Sequence, residues 1–384
     1  MTSVLLLDAS FAARPIHDWL LGQGFDVWTM GNRPGDLLAR RNPDRHIGKS
    51  YHDPETVQTY VDRLNIRHVV PGCTDISIET AVLLEVPGTH LDAPDTYDQL
   101  ANKRRFRSLC AKLDLPAPRQ VRLNDLPRLG RFIVKPTDAF SGRGITVFDG
   151  TDLEAAKRAV ALAQSESRSG QAIIETFADG QLHSYSCFLE ARQVVDATIV
   201  REDGSVTPYA VDTSHVRTDF PAAGIAILRD SIEHLARHLG LVDGLLHAQF
   251  IWDGESPQLI ELSRRCPGDL YPWLVQLSTG KPHAARYASY FLGRTAPIAA
   301  QTSRHILRHT VTAGHDNYEG IWFTDPALVL EFHPLATTGR ETPKPTQIDR
   351  VALVFLELQT VEALAVEHER FFSRKAYRSQ IREA

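Results

Sequence analysis

The sequence predicts an α/β protein of two or three domains that begins with a doubly wound parallel sheet. Three observations favour this class. The chain has 384 residues, which exceeds the length that one hydrophobic core usually organises. In residues 1–95, short apolar strands alternate with helix-length segments. Beyond residue 120, successive strands are joined by short loops rich in small residues, which is typical of hairpins.

The N-terminal region alternates strand and helix. Strands are predicted at 4–7, 26–30 and 67–70, and helices near 13–22, 54–64 and 76–85. The first turn, Asp8-Ala-Ser-Phe-Ala, lacks the Gly-x-Gly-x-x-Gly pattern, which argues against a nicotinamide or flavin site. Thr74 and Asp75 follow the carboxyl end of a strand, where open sheets bind ligands. This position would let Thr74 and Asp75 contact a substrate, although capping a helix N-terminus is the commoner role of such residues.

A second feature is the segment 131–148, which contains a compact strand at 131–136 that ends on Lys135 and Pro136. The loop Thr137-Asp-Ala-Phe-Ser141-Gly142-Arg143-Gly144 follows, and a second strand is predicted at 145–148. Glycines let backbone N–H groups approach phosphate oxygens, and Lys135 would supply a point charge to the same phosphates. Walker loops and dinucleotide fingerprints open a helix, whereas this loop returns into a strand. An ordinary hairpin turn is the alternative.

The next segment, 171–177, is an apolar strand interrupted by one carboxylate, Glu175, and Ala178-Asp-Gly180 ends it. Residues 183–189 then alternate polar and apolar, as a half-buried strand does. A carboxylate within an apolar strand is expected to be paired or functional, because isolated burial of a charge is costly. Adenine presents a donor and an acceptor on one edge, which Glu175 and the adjoining backbone could read.

The segment 246–269 predicts a hairpin with strands at 247–252 and 258–262, joined by Asp253-Gly-Glu-Ser-Pro257. If the turn closes symmetrically, Gln249 faces Glu261, and strand alternation puts Ser263 on the same face. Oxygen ligands of this kind suit Mg²⁺, and the guanidinium groups of Arg264 and Arg265, just past the edge, suit phosphate or carboxylate. A half-buried hairpin with a solvated polar face is the alternative.

Taken in order, these segments resemble the ATP-grasp superfamily, and in particular the carbamoyl-phosphate-synthetase-like domain of its carboxylate–amine ligases. The resemblance covers roughly residues 95 to 300 and rests on the order of the motifs, since no single one is specific. It implies two phosphate lysines, a mobile loop over the phosphates, a hinge that holds adenine, three magnesium ligands and a Glu-x-Asn-x-Arg arginine. The matching residues are, in that order, Lys103 and Lys135; Ser141, Gly142, Arg143 and Gly144; Glu175, Thr176 and Phe177; Gln249, Glu261 and Ser263; and Arg265.

The sequence departs from the family at three positions. The third metal ligand is usually Asn, but here it is Ser263, which could reach the ion through water. The first is commonly Glu, but here it is Gln249, so only Glu261 brings a formal negative charge. Mg²⁺ keeps several waters and binds nucleotide phosphates, so a charge-poor set is tolerable, although the number of metal ions stays open. The family's ribose-binding carboxylate is replaced by Leu182 or His183. His183 could bond a ribose hydroxyl or be a surface histidine of the strand.

The resemblance also implies three domains. They are an N-terminal Rossmann-like domain at 1–95, an ATP-grasp domain at 96–300 with an α+β lid at about 119–180, and a small α/β closing domain at 301–384. In the last of these, the pattern of apolar residues predicts strands at 306–312, 329–332 and 351–358 and a helix at 361–372.

The implied activity is an ADP-forming ligase that uses ATP and Mg²⁺, for which Mn²⁺ could substitute. It would join a small carboxylate (an amino acid, peptide or sugar acid) to an amine through an acyl phosphate. Arg265 would hold the acyl phosphate or stabilise the tetrahedral state. Arg264 would grip a substrate carboxylate or lie over apolar neighbours at the surface.

Three other interpretations remain. The first is a kinase-type ATP-grasp phosphotransferase that only phosphorylates its substrate. The second is a non-catalytic nucleotide-binding module, suggested by Ser263, although both lysines, Glu261 and Arg265 argue against loss of function. The third is a dehydrogenase, which the missing glycine pattern disfavours.

Composition excludes several classes of partner. The net charge of −5 argues against nucleic acid, which demands a basic face. No apolar run approaches the length of a membrane span. The four cysteines stand singly without metal-ligand spacing, which suits a reducing cytosol, and the N-terminus has no basic signal-peptide region. We therefore expect a cytoplasmic enzyme with small-molecule substrates. The oligomeric state stays open, a homodimer included.

Overall fold

The computed structural model describes residues 1–139, 142–206, 209–296, 302–313, 318–335 and 349–381. Within these ranges the strands form a parallel N-terminal sheet, a small antiparallel sheet, a large antiparallel sheet and a two-stranded ribbon. None of the helices in the described ranges is both long enough and apolar enough to cross a bilayer.

The N-terminal sheet is parallel throughout, with strand order β3-β2-β1-β4. Its strands are β1 (Ser3–Leu7), β2 (Asp26–Met30), β3 (His46–Ile47) and β4 (His68–Pro71), and the helices of this region are α1 (Arg14–Gly22), α2 (Leu37–Arg41), α3 (Pro54–Arg63) and α4 (Asp75–Ala81). Side chains of β1 alternate between two cores: Leu6 packs with Ile16 of α1, whereas Leu5 packs with Val57 of α3. Helices therefore cover both faces, which confirms the predicted doubly wound sheet.

The small sheet, which we call the lid sheet, is antiparallel with strand order β5-β8-β6-β7. It follows helices α5 (Pro94–Ala101) and α6 (Lys103–Lys112) and consists of β5 (Gln120–Val121), β6 (Arg131–Pro136), β7 (Thr146–Asp149), helix α7 (Leu153–Glu166) and β8 (Ala172–Thr176). Helix α6 begins at Lys103 because the Asn102 side chain accepts hydrogen bonds from the N–H groups of Arg104 (3.1 Å) and Arg105 (3.2 Å). The predicted phosphate lysine thus lies at a helix N-terminus.

The large sheet has the strand order β13-β12-β9-β10-β11-β14-β17-β16. Its strands are β9 (Gln181–Glu190), β10 (Gln193–Asp203), β11 (Thr213–Val216), β12 (Gly244–Trp252), β13 (Pro257–Ser263), β14 (His305–Ala313), β16 (Val329–Pro334) and β17 (Asp349–Leu358), while β15 (Tyr318–Phe323) and β18 (Tyr377–Ile381) form the ribbon. Strands β14, β16 and β17 thus continue the sheet formed by β9 to β13. The boundary predicted at residue 300 falls outside the described residues, and strands from both sides of it belong to this one sheet. The strands and the helix predicted beyond it are present.

Helices pack on both faces of this sheet. The helices are α8 (Ala222–Leu239), α9 (Tyr271–Thr279), α10 (His283–Phe291) and α11 (Val361–Phe372). On one face, Tyr185 and Phe250 pack with Ile232 of α8. On the other face, Val200 packs with Leu274 of α9. Since successive strand residues point to opposite faces, each strand contributes polar side chains to the face of α9 between apolar ones on the face of α8.

Candidate functional site

A cavity of about 760 Å³ lies between the lid sheet and the face of the large sheet that carries α9. This volume is in the range of small-molecule sites. Predicted site residues from distant parts of the chain meet in its walls. They are Lys103, Lys135, Gly142, Arg143, Glu175, Thr176, Phe177, Gln249, Glu261, Ser263 and Arg265. Of the other predicted residues, Gly144, His183 and Arg264 do not line it, and Ser141 lies outside the described residues.

The predicted hairpin has the predicted register at the three proposed metal ligands. Gln249 pairs with Glu261, and the three residues Gln249, Glu261 and Ser263 share the cavity face. Close to the turn, however, Trp252 pairs with Pro257. If this register continued along the two strands, Gln249 would pair with Ile260. A bulge at Ile260 adds one residue to β13, and this extra residue brings Glu261 opposite Gln249.

The three predicted metal ligands retain oxygen atoms for a cation. Gln249 Nε2 donates to Glu202 Oε2 at 2.6 Å, which leaves Gln249 Oε1 for another partner. The Glu261 side chain is 48% exposed, and its carboxylate lies 3.9 Å from Lys103 Nζ. The described residues contain no group of three or more His, Cys, Asp or Glu able to hold a metal by themselves. A set of one carboxylate, one amide oxygen and one hydroxyl fits Mg²⁺ that also takes ligands from water and phosphate.

Glu175 holds Lys135 in place from within the core. Its side chain has no exposed surface; Oε2 lies 2.8 Å from Lys135 Nζ and Oε1 2.6 Å from Arg107 Nε. Burial by itself would raise the pKa of Glu175, but the charges and hydrogen bonds of Lys135 and Arg107 outweigh it and lower that pKa. The cluster carries one net positive charge beside the cavity. Glu175, predicted to read adenine, thus has both carboxylate oxygens next to cations and is foremost a positioning residue for Lys135.

Arg107, which the sequence reasoning missed, connects three parts of the site. Besides Glu175, its guanidinium donates to the carbonyl oxygens of Leu259 (2.8 Å) and Ile260 (2.9 Å) at the bulge of β13. It lies one turn after Lys103 on α6, so the two side chains share a helix face. The spacing of four residues between Lys103 and Arg107 is the sequence feature that could have identified Arg107 as part of the site. Arg107 thus connects α6, which carries Lys103, with β8 and with the hairpin of β12 and β13.

The loop after β6 approaches Lys103 and the large sheet. Lys103 Nζ donates to the carbonyl oxygen of Ala139 at 3.1 Å. Gly142 and Gly144 have φ of +72° and +67°, a conformation that glycine adopts without steric cost. A Cβ atom on Gly142 would lie 2.7 Å from Cβ of Tyr209, so a larger residue would push the loop away from the large sheet.

Arg265 is clamped by the N-terminal region. Its Nε and Nη2 donate to Asp75 Oδ1 and Oδ2 at 2.7 and 3.1 Å. Burial would lower the pKa of Arg265, but Asp75 more than compensates and raises it. Thr74 caps α4 by accepting from the N–H of Ser77 at 3.2 Å, so of the two residues predicted to cap or to contact substrate, Asp75 alone reaches the cavity.

No family model and no curated protein matches this sequence, but solved structures match it over nearly its full length. Phosphoribosylglycinamide synthetase from Anaerococcus prevotii is similar with a TM-score of 0.77 and 15% identity, covering 99% of this chain and 100% of that one. L-amino acid ligase from Bacillus licheniformis is similar with a TM-score of 0.74 and 16% identity, and the match covers 100% of this chain and 99% of that one. The biotin carboxylase domain of 2-oxoglutarate carboxylase from Hydrogenobacter thermophilus is similar with a TM-score of 0.75 and 12% identity, and the match covers 99% of this chain and 91% of that one. All three are ATP-grasp proteins. The chain has the ATP-grasp fold.

Within this ATP-grasp fold, Arg264 does not occupy the substrate position that the sequence predicted. Its Nε is 2.7 Å from Asp92 Oδ2, its Nη2 donates to the Val242 carbonyl at 2.7 Å, and the residue is buried. Arg264 and Arg265 follow the end of β13 and turn to opposite sides, each toward a different aspartate. Arg264 is therefore a structural link to Asp92, and the prediction that it grips substrate is wrong.

His183 is likewise not a ribose ligand in this ATP-grasp fold. Strand alternation turns Leu182 toward the cavity and His183 to the opposite face, where its ring stacks on Phe250 with centroids 5.5 Å apart. Nδ1 lies 3.0 Å from the carbonyl oxygen of Gln181, and burial lowers the pKa of His183 to about 4. It is a neutral core histidine, so the predicted ribose contact and the alternative of a surface histidine are both wrong.

Proposed function

We propose that this chain is an ADP-forming ligase that activates a small carboxylate with ATP and joins it to an amine. The observation that carries the proposal is the convergence of both lysines, the oxygen ligands of the hairpin and a clamped arginine on one cavity. The named activities of the similar structures, which include an L-amino acid ligase and a carboxylase domain bound to MgADP and bicarbonate, agree with this class of reaction.

The nucleotide would lie between the lid sheet and the large sheet. Adenine would contact the hinge at Thr176 and Phe177, and the phosphates would lie between Lys135 and Lys103. Lys135 is pre-oriented by Glu175, so little side-chain entropy is lost when it binds a phosphate. Mg²⁺ at Gln249, Glu261 and Ser263 would neutralise phosphate charge. Lys103 contacts both the Ala139 carbonyl and Glu261, so it would join the phosphate loop to the metal ligands.

The proposed reaction has two steps. A carboxylate oxygen of the substrate attacks the γ-phosphorus of ATP, and ADP leaves. The amine then attacks the carbonyl carbon of the acyl phosphate, loses a proton to a base, and expels phosphate together with the former carboxylate oxygen. Arg265 donates to both oxygens of Asp75, and its Nη1 donates to the carbonyl oxygen of Cys266 at 3.2 Å. Nη1 and Nη2 each have one further N–H group, which would be offered to the acyl phosphate or to the oxyanion. The lid would exclude water, because acyl phosphates hydrolyse.

The test is a screen of carboxylates crossed with amines for ADP release, followed by the mass of the product. With an active carboxylate, hydroxylamine should replace the amine and give a hydroxamate, and ¹⁸O from the carboxylate should appear in phosphate. ADP formation with a phosphorylated product and no amide would indicate a phosphotransferase. An amide with AMP and pyrophosphate, and no label in phosphate, would overturn the mechanism.

Two variants test the arginine. Arg265→Ala should depress turnover strongly while weakening ATP binding only slightly, since its contacts form mainly as the acyl phosphate and oxyanion develop. Asp75→Asn keeps the arginine but weakens its clamp, so its loss of turnover should be smaller. Equal losses in both, with weakened ATP binding, would assign Arg265 to the nucleotide.

A further inference from the structure

Beyond the nucleotide and metal residues, a row of three polar side chains crosses the floor of the cavity. Glu202 of β10 pairs with Ser214 of β11, and Ser214 pairs with Arg308 of β14. Residues paired across adjacent strands share a sheet face, and all three line the cavity. Each is buried, with exposed fractions of 4%, 1% and 3%.

Arg308 has donors that the protein leaves unsatisfied. Its Nη1 donates to the carbonyl oxygen of Asp269 at 3.0 Å, but Nε and Nη2 have no partner, and neither does the hydroxyl of Ser214. Unpaired buried donors are unfavourable, and more so on a charged group. Nε and Nη2 form the side of the guanidinium that binds a carboxylate through two parallel hydrogen bonds. The arrangement thus points to an anionic group of a ligand.

The opposite end of the row is anionic and adjoins the metal ligands. Glu202 Oε2 accepts a hydrogen bond from Gln249 Nε2 at 2.6 Å. A carboxylate can accept further hydrogen bonds, including one from an ammonium group. The row therefore presents a hydrogen-bond acceptor near the predicted metal ligands and a cation two strands away.

The two ends of the row suit a molecule that carries both charges. Two strand spacings, about 10 Å, separate the backbones of β10 and β14, and the side chains of Glu202 and Arg308 extend from them into the same cavity. An amino acid has one amino group and one carboxylate group, so it would satisfy both ends of the row.

We propose that the row of Glu202, Ser214 and Arg308 binds the amine substrate and that this substrate is an amino acid. Arg308 binds its carboxylate, and Glu202 accepts a hydrogen bond from its amino group, which orients the nitrogen toward the activated carbonyl carbon. The amino acid would thus enter with its amine toward the metal ligands, and the product would be a peptide-like amide. The reaction role rests on the proposed ligase function, whereas the binding site is testable without turnover.

The binding test uses wild-type protein with MgADP and titrates the standard amino acids, their amides and their N-acetyl derivatives by calorimetry. At least one amino acid should bind, and its amide and its N-acetyl form should each bind about 10- to 100-fold more weakly, the effect expected for loss of one charge-assisted contact. Arg308→Gln should abolish the preference for acid over amide, and Glu202→Gln the preference for free amine over N-acetyl. Unchanged preferences in these variants, or no binding by any amino acid, would overturn the inference.

A matched control lies in the same cavity. Arg350 also contacts Asp269, but its Nη1 is already satisfied by both carboxylate oxygens at 2.7 and 2.9 Å. Arg350→Gln should therefore preserve the preference for acid over amide, and an equal loss in both variants would contradict a specific role of Arg308. If Arg308→Gln fails to fold, the same titrations are carried out with Ser214→Ala. We expect this variant to show a weaker preference for acid over amide than the wild type, and an unchanged preference would overturn the inference.

The two proposals fail in different ways. If an amino acid binds with the expected preferences but no carboxylate–amine pair releases ADP, the ligase proposal falls and the binding site stands. If ligation occurs equally well with simple amines that lack a carboxylate, the ligase proposal stands and this inference falls.

Discussion

Replacing Glu175 with glutamine should lower the free energy of unfolding by about 3–5 kcal/mol, the usual effect of removing one partner of a buried ion pair. Glutamine has nearly the same size, so the packing of β8 should persist. The change removes the negative charge that lies 2.6 Å from Arg107 Nε and 2.8 Å from Lys135 Nζ, all within the core. Two buried cations would then share one neutral amide, whose nitrogen cannot accept a hydrogen bond.

Lys135→Met provides the matched comparison. It leaves Glu175 paired with Arg107, so we expect a smaller loss of stability, but it should weaken MgATP binding by about 1.5–3 kcal/mol through loss of one charge-assisted contact. The double variant should be less destabilised than the sum of the single ones, since removing Lys135 relieves the unpaired cation. Urea unfolding gives the stabilities, and calorimetry with MgATP gives the affinities.

The pH dependence gives a second readout of the same cluster. In the folded protein the pKa of Glu175 lies below its ordinary value of 4.5, because Lys135 and Arg107 outweigh burial. Its stabilising contribution is therefore fully present above about pH 4.5 and is lost as the pH falls through the lower folded-state value. Glu175→Gln should flatten the stability curve in that acidic range. A variant within about 0.5 kcal/mol of wild type, with the same acid slope, would refute the positioning role.

Three further predictions concern the metal, the lid and a core histidine. Glu261→Gln should depress Mg²⁺-dependent turnover more than Ser263→Ala, because only Glu261 carries charge; equal, mild effects in titrations of Mg²⁺ would exclude the hairpin as the metal site. Hydrogen exchange should show low protection for residues 119–180 without nucleotide and higher protection with MgATP, and equal protection in both states would contradict a lid. His183 has a pKa lowered from 6.5 to about 4, so its neutral ring is protonated on unfolding and stability falls as pH drops through that window. His183→Phe should reduce this slope, measured by urea unfolding, by up to about 1.4 kcal/mol per pH unit, and an unchanged slope would show that the buried ring does not control it.

The features predicted well from the sequence are those decided by neighbouring residues. Alternation along a strand has a period of two, so Glu261 and Ser263 share one face of β13, as predicted. Gln249 pairs with Glu261 as the symmetric turn around Glu255 predicts, but the observed turn is offset by one residue and the bulge at Ile260 makes up the difference. Helix α6 begins at Lys103 because Asn102 caps it, which is again a local effect. The apolar pattern of residues 1–95 likewise determines a parallel sheet covered on both faces.

The features that only the tertiary structure decided depend on partners far along the chain. Arg264 and Arg265 are adjacent and chemically identical, yet they separate because Asp92 lies 172 residues before one and Asp75 190 residues before the other. The row of Glu202, Ser214 and Arg308 depends on the pairing of β10, β11 and β14, and β14 joins β11 only after two strands and three helices intervene in the chain. A side chain's own neighbours set its direction relative to the strand, but the pairing of distant strands sets what it faces, and no local pattern encodes that pairing.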